Sequence, residues 1–142
     1  MGHKLHLGCS RNYLDGFINI DFDDRVRKDM KCDLNKGIPF VDNSIEHINA
    51  WHILEHLDDV IFVMREIHRV LKPDGVADIR VPLWTHKDGF GDPSHKHYFN
   101  EQTLDQFTNK DCYFVKGIDF YFEKLEERIT DSEIMIKFKP IK

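Results

Sequence analysis

The chain is 142 residues long, with 41% hydrophobic and 32% charged residues and a net charge of −5 from 20 Lys plus Arg against 25 Asp plus Glu. That length implies a single domain over 1–142, and an acidic balance without a basic block argues against an electrostatic grip on nucleic acid. No apolar run approaches the ~20 residues of a membrane span, MGHKLHLG lacks an apolar signal core, and Cys9, Cys32 and Cys112 form no CxxC, so the expectation is a cytoplasmic protein with reduced thiols and no membrane partner.

In chain order, short apolar runs alternate with turn residues. Lys4–Leu7 predicts a strand that stops at Gly8, Phe17–Asp21 (FINID) a second, Asp29–Leu34 a third, and Ile45–Ala50, after the turn Val41-Asp42-Asn43-Ser44, a fourth. Asp58–Lys72 predicts a helix, because Val60, Ile61, Met64, Ile67 and Leu71 recur at the spacing of a buried stripe. Asp58 and Asp59 begin it, Arg69 and Lys72 end it, and Pro73 and Gly75 stop it. Val76–Pro82 (VADIRVP) is the fifth strand. Leu83–Asn100, polar and aromatic with Gly89, Gly91 and Pro93, is too long for a passive connection, and loops of this kind often form sites. A short helix over Glu101–Thr108, capped by Asn100, follows. Tyr113–Leu125 and Glu133–Lys139 then predict an antiparallel pair joined through Glu126–Ser132, with Tyr113, Phe114, Phe120, Tyr121 and Phe122 as sheet packing rather than a stacking platform for bases.

The alternation within the strands predicts how the sheet is covered. Lys4 and His6 oppose Leu5 and Leu7, Asn19 and Asp21 oppose Ile18 and Ile20, and Asp78 and Arg80 oppose Ala77, Ile79 and Val81. A parallel sheet packed between two helical layers should instead show continuous apolar runs. The gaps Gly8–Gly16 and Phe22–Lys28, nine and seven residues, are also shorter than the ~10 to 12 residues of a crossover helix. Helices are therefore expected on one face only. The row of His6, Asn19, Asp78 and Arg80 is expected to be wet or to lie against a second copy in a homodimer.

The segment LHLGCS ends a strand in Gly8, and Asp21 ends the next. A glycine there lets backbone approach a ligand closely, and a carboxylate ending the neighbouring strand can accept hydrogen bonds from two ribose hydroxyls. Alone, the segment reads equally well as a strand and a turn, since GxGxxG is absent. The ordered series LHLGCS, GFINID, CDLNKGIPFVDNSIEHINAWHILEHL and EIHRVLKPDG with IRVP resembles class I S-adenosylmethionine (SAM)-dependent methyltransferases, in particular small methyltransferase domains with LEHL and RVLKPGG-like motifs, over about Lys4 to Pro82. The resemblance implies an α/β, reduced Rossmann-like methyltransferase fold: a mostly parallel seven-strand sheet with an antiparallel C-terminal edge pair and few helices. It further implies that Gly8, Cys9 and Ser10 line the methionine part of SAM, Asp21 holds the ribose, and Phe22 and Leu34 flank the adenine. Asp33 would accept from the adenine amino group, and Ala50, Trp51 and His52 close the pocket. Two positions depart from the pattern: Ser10 replaces a glycine and Asp74 replaces the first glycine of the Pro-Gly-Gly turn.

His95 and His97, in DPSHKHYF just after the fifth strand, are the candidate catalytic residues, placed to orient or deprotonate a small-molecule acceptor. For each, loop packing is the competing reading. His52 to His56 (HILEH) also matches the H-x-x-E-H zinc motif of hydrolases, whose two histidines would share one helix face, but it lacks an identified third ligand. A non-catalytic SAM-binding or interaction protein is the other alternative. The expected function is thus SAM-dependent methyl transfer without a bound metal.

Overall fold

The computed structural model describes residues 2–108 and 115–142. Seven strands, β1 (His3–Leu7), β2 (Ile18–Asp21), β3 (Met30–Lys31), β4 (Ile45–Trp51), β5 (Leu71–Pro82), β6 (Tyr121–Ile129) and β7 (Glu133–Ile141), form one sheet in the order β3-β2-β1-β4-β5-β7-β6. The first five pair in parallel, and β7 inserts antiparallel between β5 and β6. This is the mostly parallel sheet with a reversed C-terminal pair expected from the resemblance.

One helix carries the packing. α1 (Val60–Val70) starts where the Asp59 carboxylate accepts the Phe62 amide at 3.0 Å, and it turns its buried Val63, Met64, Ile67 and Val70 into the core. There they meet Leu5, Leu7, Ile20, Ile48, Ala50, Ala77, Ile79 and Val81, the apolar halves of the alternating strands, each large side chain contributing ~1.5 to 3 kcal/mol of burial. The helix ends at Val70 rather than Lys72, because Pro73 pushes the residue before it out of the helical region and β5 begins at once. Arg69 then fastens the helix to the chain entering β4. Its guanidinium donates to both Glu66 carboxylate oxygens and to the Ile38 and Phe40 carbonyls, while the Ile38 amide donates to Glu66.

The opposite face behaves differently from expectation. Strand pairing aligns Asn19, His6, Asn49, Asp78 and Lys137 across the sheet, and no helix among the described residues packs there. Yet His6, Asn19, Asn49 and Asp78 are buried, not wet. The Gly8–Phe17 connection folds over them: Asn19 exchanges hydrogen bonds with the Leu14 backbone and also donates to Asp29. Phe17 and Trp51 lie edge-on to the His6 ring, and the Arg80 guanidinium stacks 4.0 Å from the Trp51 ring. Burial lowers the His6 pKa, leaving it neutral in this layer. Side chains thus replace the missing helical layer over this part of the sheet.

Local differences have local causes. The third strand shrinks to two residues because Asp33 accepts the Asn35 amide and starts a 3-10 turn at Leu34–Lys36. The short helix expected over Glu101–Thr108 is a 3-10 turn at Leu104–Phe107. Asn100 does accept the Gln102 and Thr103 amides, but the chain tightens into i to i+3 bonding. The long loop contains a short helix, α2 (Lys87–Phe90), that the sequence did not signal. The hairpin turns later than expected, at Thr130–Ser132, since Glu126–Ile129 remain paired with β7 on a charged edge. The expected strand from Tyr113 begins at Tyr121, and Tyr113 and Phe114 lie outside the described residues.

Candidate active site

The carboxyl ends of β2, β1, β4 and β5 lie side by side, where open α/β sheets form their ligand crevices. The backbone at these ends is unusual. Gly8, Ser10 and His52 all have left-handed φ values, 63°, 47° and 53°. At Gly8 a Cβ would come within 2.6 Å of the Ile53 side chain, so only glycine lets β1 turn beneath the chain leaving β4. Ser10 reaches the same region despite its side chain, and its amide donates to Asp21 Oδ2 at 2.8 Å.

Asp21 is fixed on both sides, because the Asp23 amide donates to Oδ1 at 2.8 Å. Each carboxylate oxygen accepts one backbone amide and keeps a second acceptor site. Around it, Cys9 is buried, its thiol against the Arg27 carbonyl and its pKa raised by burial and by the Asp21 charge. Phe22 is exposed, with the Lys31 ammonium over its ring. Asp33 caps the 3-10 turn through one oxygen, whereas Leu34 is buried in the core and presents no open surface. Ala50 is also buried, and Trp51 is turned onto Arg80 and His6.

At the β4 and β5 ends lies a cleft of about 830 Å³ lined by His52, Glu55, His56, Pro82, Asp92, His95 and Glu133. The loop after β5 is clamped over the 3-10 turn Leu54–His56: the Lys96 and His97 amides donate to the Glu55 carbonyl, and Ser94 Oγ lies 3.2 Å from His56 Nδ1. His95 and His56 meet edge to face with ring centroids 4.7 Å apart. The Glu55 side chain is only 1% exposed, and its Oε2 has no hydrogen-bond partner. Burial pushes the Glu55 carboxyl pKa up, and burial with the nearby His95 pulls His56 down.

Several expectations change here. His95 reaches the cleft but His97 does not: its Nε2 bonds to the Leu57 carbonyl at 2.8 Å and its ring lines a separate apolar pocket beside Phe99 and Phe107. His97 ties the loop down. HILEH is not an α-helix, either: only Leu54–His56 form a 3-10 turn, His52, in its left-handed conformation, turns Nε2 onto Glu133 Oε2 at 2.8 Å, and His56 gathers with Glu55 and His95 instead. Glu133 and Ser94 escaped the sequence reading. Glu133 reaches the site only through the pairing Pro82 to Glu133 across β5 and β7, which no local pattern announces.

Comparison with known proteins gives a consistent picture. Residues 15–78 match the methyltransferase domain family. Over 44 residues the chain is 46% identical to the ubiquinone/menaquinone biosynthesis C-methyltransferase UbiE of Desulfotalea psychrophila; the match spans 31% of this chain and only 18% of that protein. The fold is shared more widely. The YcgJ protein from Bacillus subtilis superposes with a TM-score of 0.70 at 14% identity, covering 99% of this chain and 93% of that one. A SAM-dependent methyltransferase from Archaeoglobus fulgidus gives 0.69 at 16% identity, covering 97% and 86%. Another from Mesorhizobium loti gives 0.68 at 12%, covering 96% and 90%.

Proposed function

We propose, from the methyltransferase-domain match over residues 15–78 and a fold shared with SAM-dependent methyltransferases, that this protein transfers a methyl group from SAM to a small-molecule acceptor held in the cleft beside β4 and β5. The observation that carries this reading is Asp21. A carboxylate fixed by two backbone amides, with one acceptor site left on each oxygen, suits the paired hydroxyls of a ribose at a strand-end crevice. Gly8, bare of a side chain, gives that crevice a backbone floor, and Cys9 and Ser10 continue it. Phe22 offers an exposed aromatic ring and Asp33 an acceptor on the adenine side, and His52 bounds the site at the cleft, whereas Ala50 is fully buried and Trp51 is turned away onto Arg80 and His6.

SAM supplies a sulfonium methyl whose leaving group is already activated. What the chain adds is alignment and exclusion of water. The loop over Leu54–His56 closes one side of the cleft, and Glu55, His56 and His95 form the polar wall that orients the acceptor. The free thiols of Cys9 and Cys32 suit a reducing compartment such as the cytoplasm.

Calorimetry with SAM and a screen of acceptor pools for S-adenosylhomocysteine release test the reading. SAM binding with release from at least one pool is expected. Binding without release from any pool would make the protein a SAM-binding module, and failure to bind SAM would remove methyl transfer altogether.

A further inference from the structure

The polar wall of the cleft has a donor set that alignment of an acceptor alone does not require. One ligating atom from each of Glu55, His56 and His95 lies within 4.8 Å of the others. Hydrogen bonds at Nδ1 hold both imidazoles and leave each Nε2 for a ligand. His95 Nδ1 lies 3.0 Å from the Gly89 carbonyl, which can only accept, so Nδ1 carries a proton and Nε2 is the nitrogen free to ligate. Ser94 Oγ donates to Asp92 Oδ1 at 2.6 Å, so its oxygen accepts from His56 Nδ1, and His56 Nε2 is likewise left for a ligand. His95 Nε2 is 3.5 Å from Asp92 Oδ2, and His56 Nε2 is 3.9 Å from Glu55 Oε1. Beside them the second Glu55 oxygen is buried and without a hydrogen-bond partner, an acceptor left unsatisfied.

We infer that Glu55, His56 and His95 form a binding site for a divalent transition-metal ion of the zinc class. Two imidazole nitrogens with one carboxylate suit zinc and its neighbours rather than the all-oxygen shells of magnesium or calcium. In a tetrahedral zinc site the ligand atoms stand roughly 3.4 Å apart, so drawing these three inward by about an ångström supplies three of the four ligands. The outer hydrogen bonds already present, from Gly89 and Ser94, are those that orient histidine ligands and set their tautomers. His52 is not in the set: its Nε2 is held by Glu133, and its Nδ1 lies 3.8 Å from Glu55 Oε1 at the edge of the cluster. An ion here faces the open cleft and can take an acceptor oxygen as its remaining ligand. That use rests on the methyl-transfer reading, whereas metal uptake does not.

The test is titration of the chelator-treated full chain with zinc chloride alone, followed by calorimetry and by elemental analysis after gel filtration. One zinc per chain is expected. Glu55→Gln and His95→Ala, each checked for folding by circular dichroism, should weaken uptake at least about tenfold, and His3→Ala, at the far end of β1, should leave it unchanged. Cobalt substitution in the native chain should give the visible spectrum of a nitrogen and oxygen ligated ion, a readout that stands even if a variant does not fold. Absence of stoichiometric uptake, a purely aqueous cobalt spectrum, or equal uptake by folded Glu55→Gln or His95→Ala protein overturns the site. Zinc uptake without SAM binding keeps the site and removes the methyl-transfer reading; SAM binding without zinc does the reverse.

Discussion

Replacing Asp21 by alanine is the sharpest perturbation of the cofactor crevice. The carboxylate accepts the Ser10 and Asp23 amides at 2.8 Å each, and its two remaining acceptor sites are those assigned to the ribose hydroxyls. Hydrogen bonds to a charged acceptor contribute ~1.5 to 3 kcal/mol each, so the loss of two is at least ~3 kcal/mol before compensation. At 1.4 kcal/mol per decade that is about a hundredfold, and water entering this partly exposed strand end returns part of it, leaving a weakening of at least about tenfold. The orphaned Ser10 amide is exposed and the Asp23 amide part-buried, so the fold should lose about 1 to 2 kcal/mol. Calorimetric titration with S-adenosylhomocysteine reads the affinity and a thermal melt separates binding from folding. Asp21→Asn, which keeps the size but turns one acceptor into a donor facing an N–H, should weaken binding as well. A folded Asp21→Ala protein with native affinity would refute the ribose assignment and the crevice built around it.

Gly8→Ala should cost ~1 to 2 kcal/mol of backbone strain at φ 63° and displace Ile53, lowering the melting temperature by several degrees and weakening cofactor binding together. Asp33→Asn should keep the 3-10 cap, since asparagine caps equally well, yet lose discrimination between adenosine and inosine forms of the cofactor; equal discrimination would show that Asp33 does not read the base. His97→Ala should lower stability by loosening the loop from Leu57 while leaving S-adenosylhomocysteine affinity intact, whereas His95→Ala should reduce turnover; the reverse pattern would exchange their assignments. The Arg69 guanidinium, then the Ile38 amide, hold the Glu66 carboxyl below its usual pKa, so its stabilisation is present above the ordinary glutamate range and is lost as pH falls through the lowered folded value. Glu66→Gln should therefore reduce stability at neutral pH by ~1 to 3 kcal/mol, a deficit that should shrink in acid; a gap that stays constant with pH in chemical denaturation would contradict the clamp.

The sequence by itself determined the positions of the first, second, fourth and fifth strands, the α1 stripe and the polar and apolar faces, because these depend on period-two and period-3.6 patterns and on Pro73 and Gly75, all local in the chain. It also marked Gly8 and Asp21, whose strand-end positions follow from those same patterns. The fate of the polar face was not legible: burying His6 and Asn19 needed the Gly8–Phe17 connection to fold back and Trp51 to bridge toward Arg80, contacts between segments with no common pattern. The same holds for the cleft. His95 and His97 are two residues apart and look alike in sequence, yet one faces the cleft and the other turns onto the Leu57 carbonyl. Glu55 and Glu133 enter the site only because the loop closes over Leu54–His56 and β7 pairs with β5. Which side chains converge there is a property of long-range packing, and only the tertiary structure decides it.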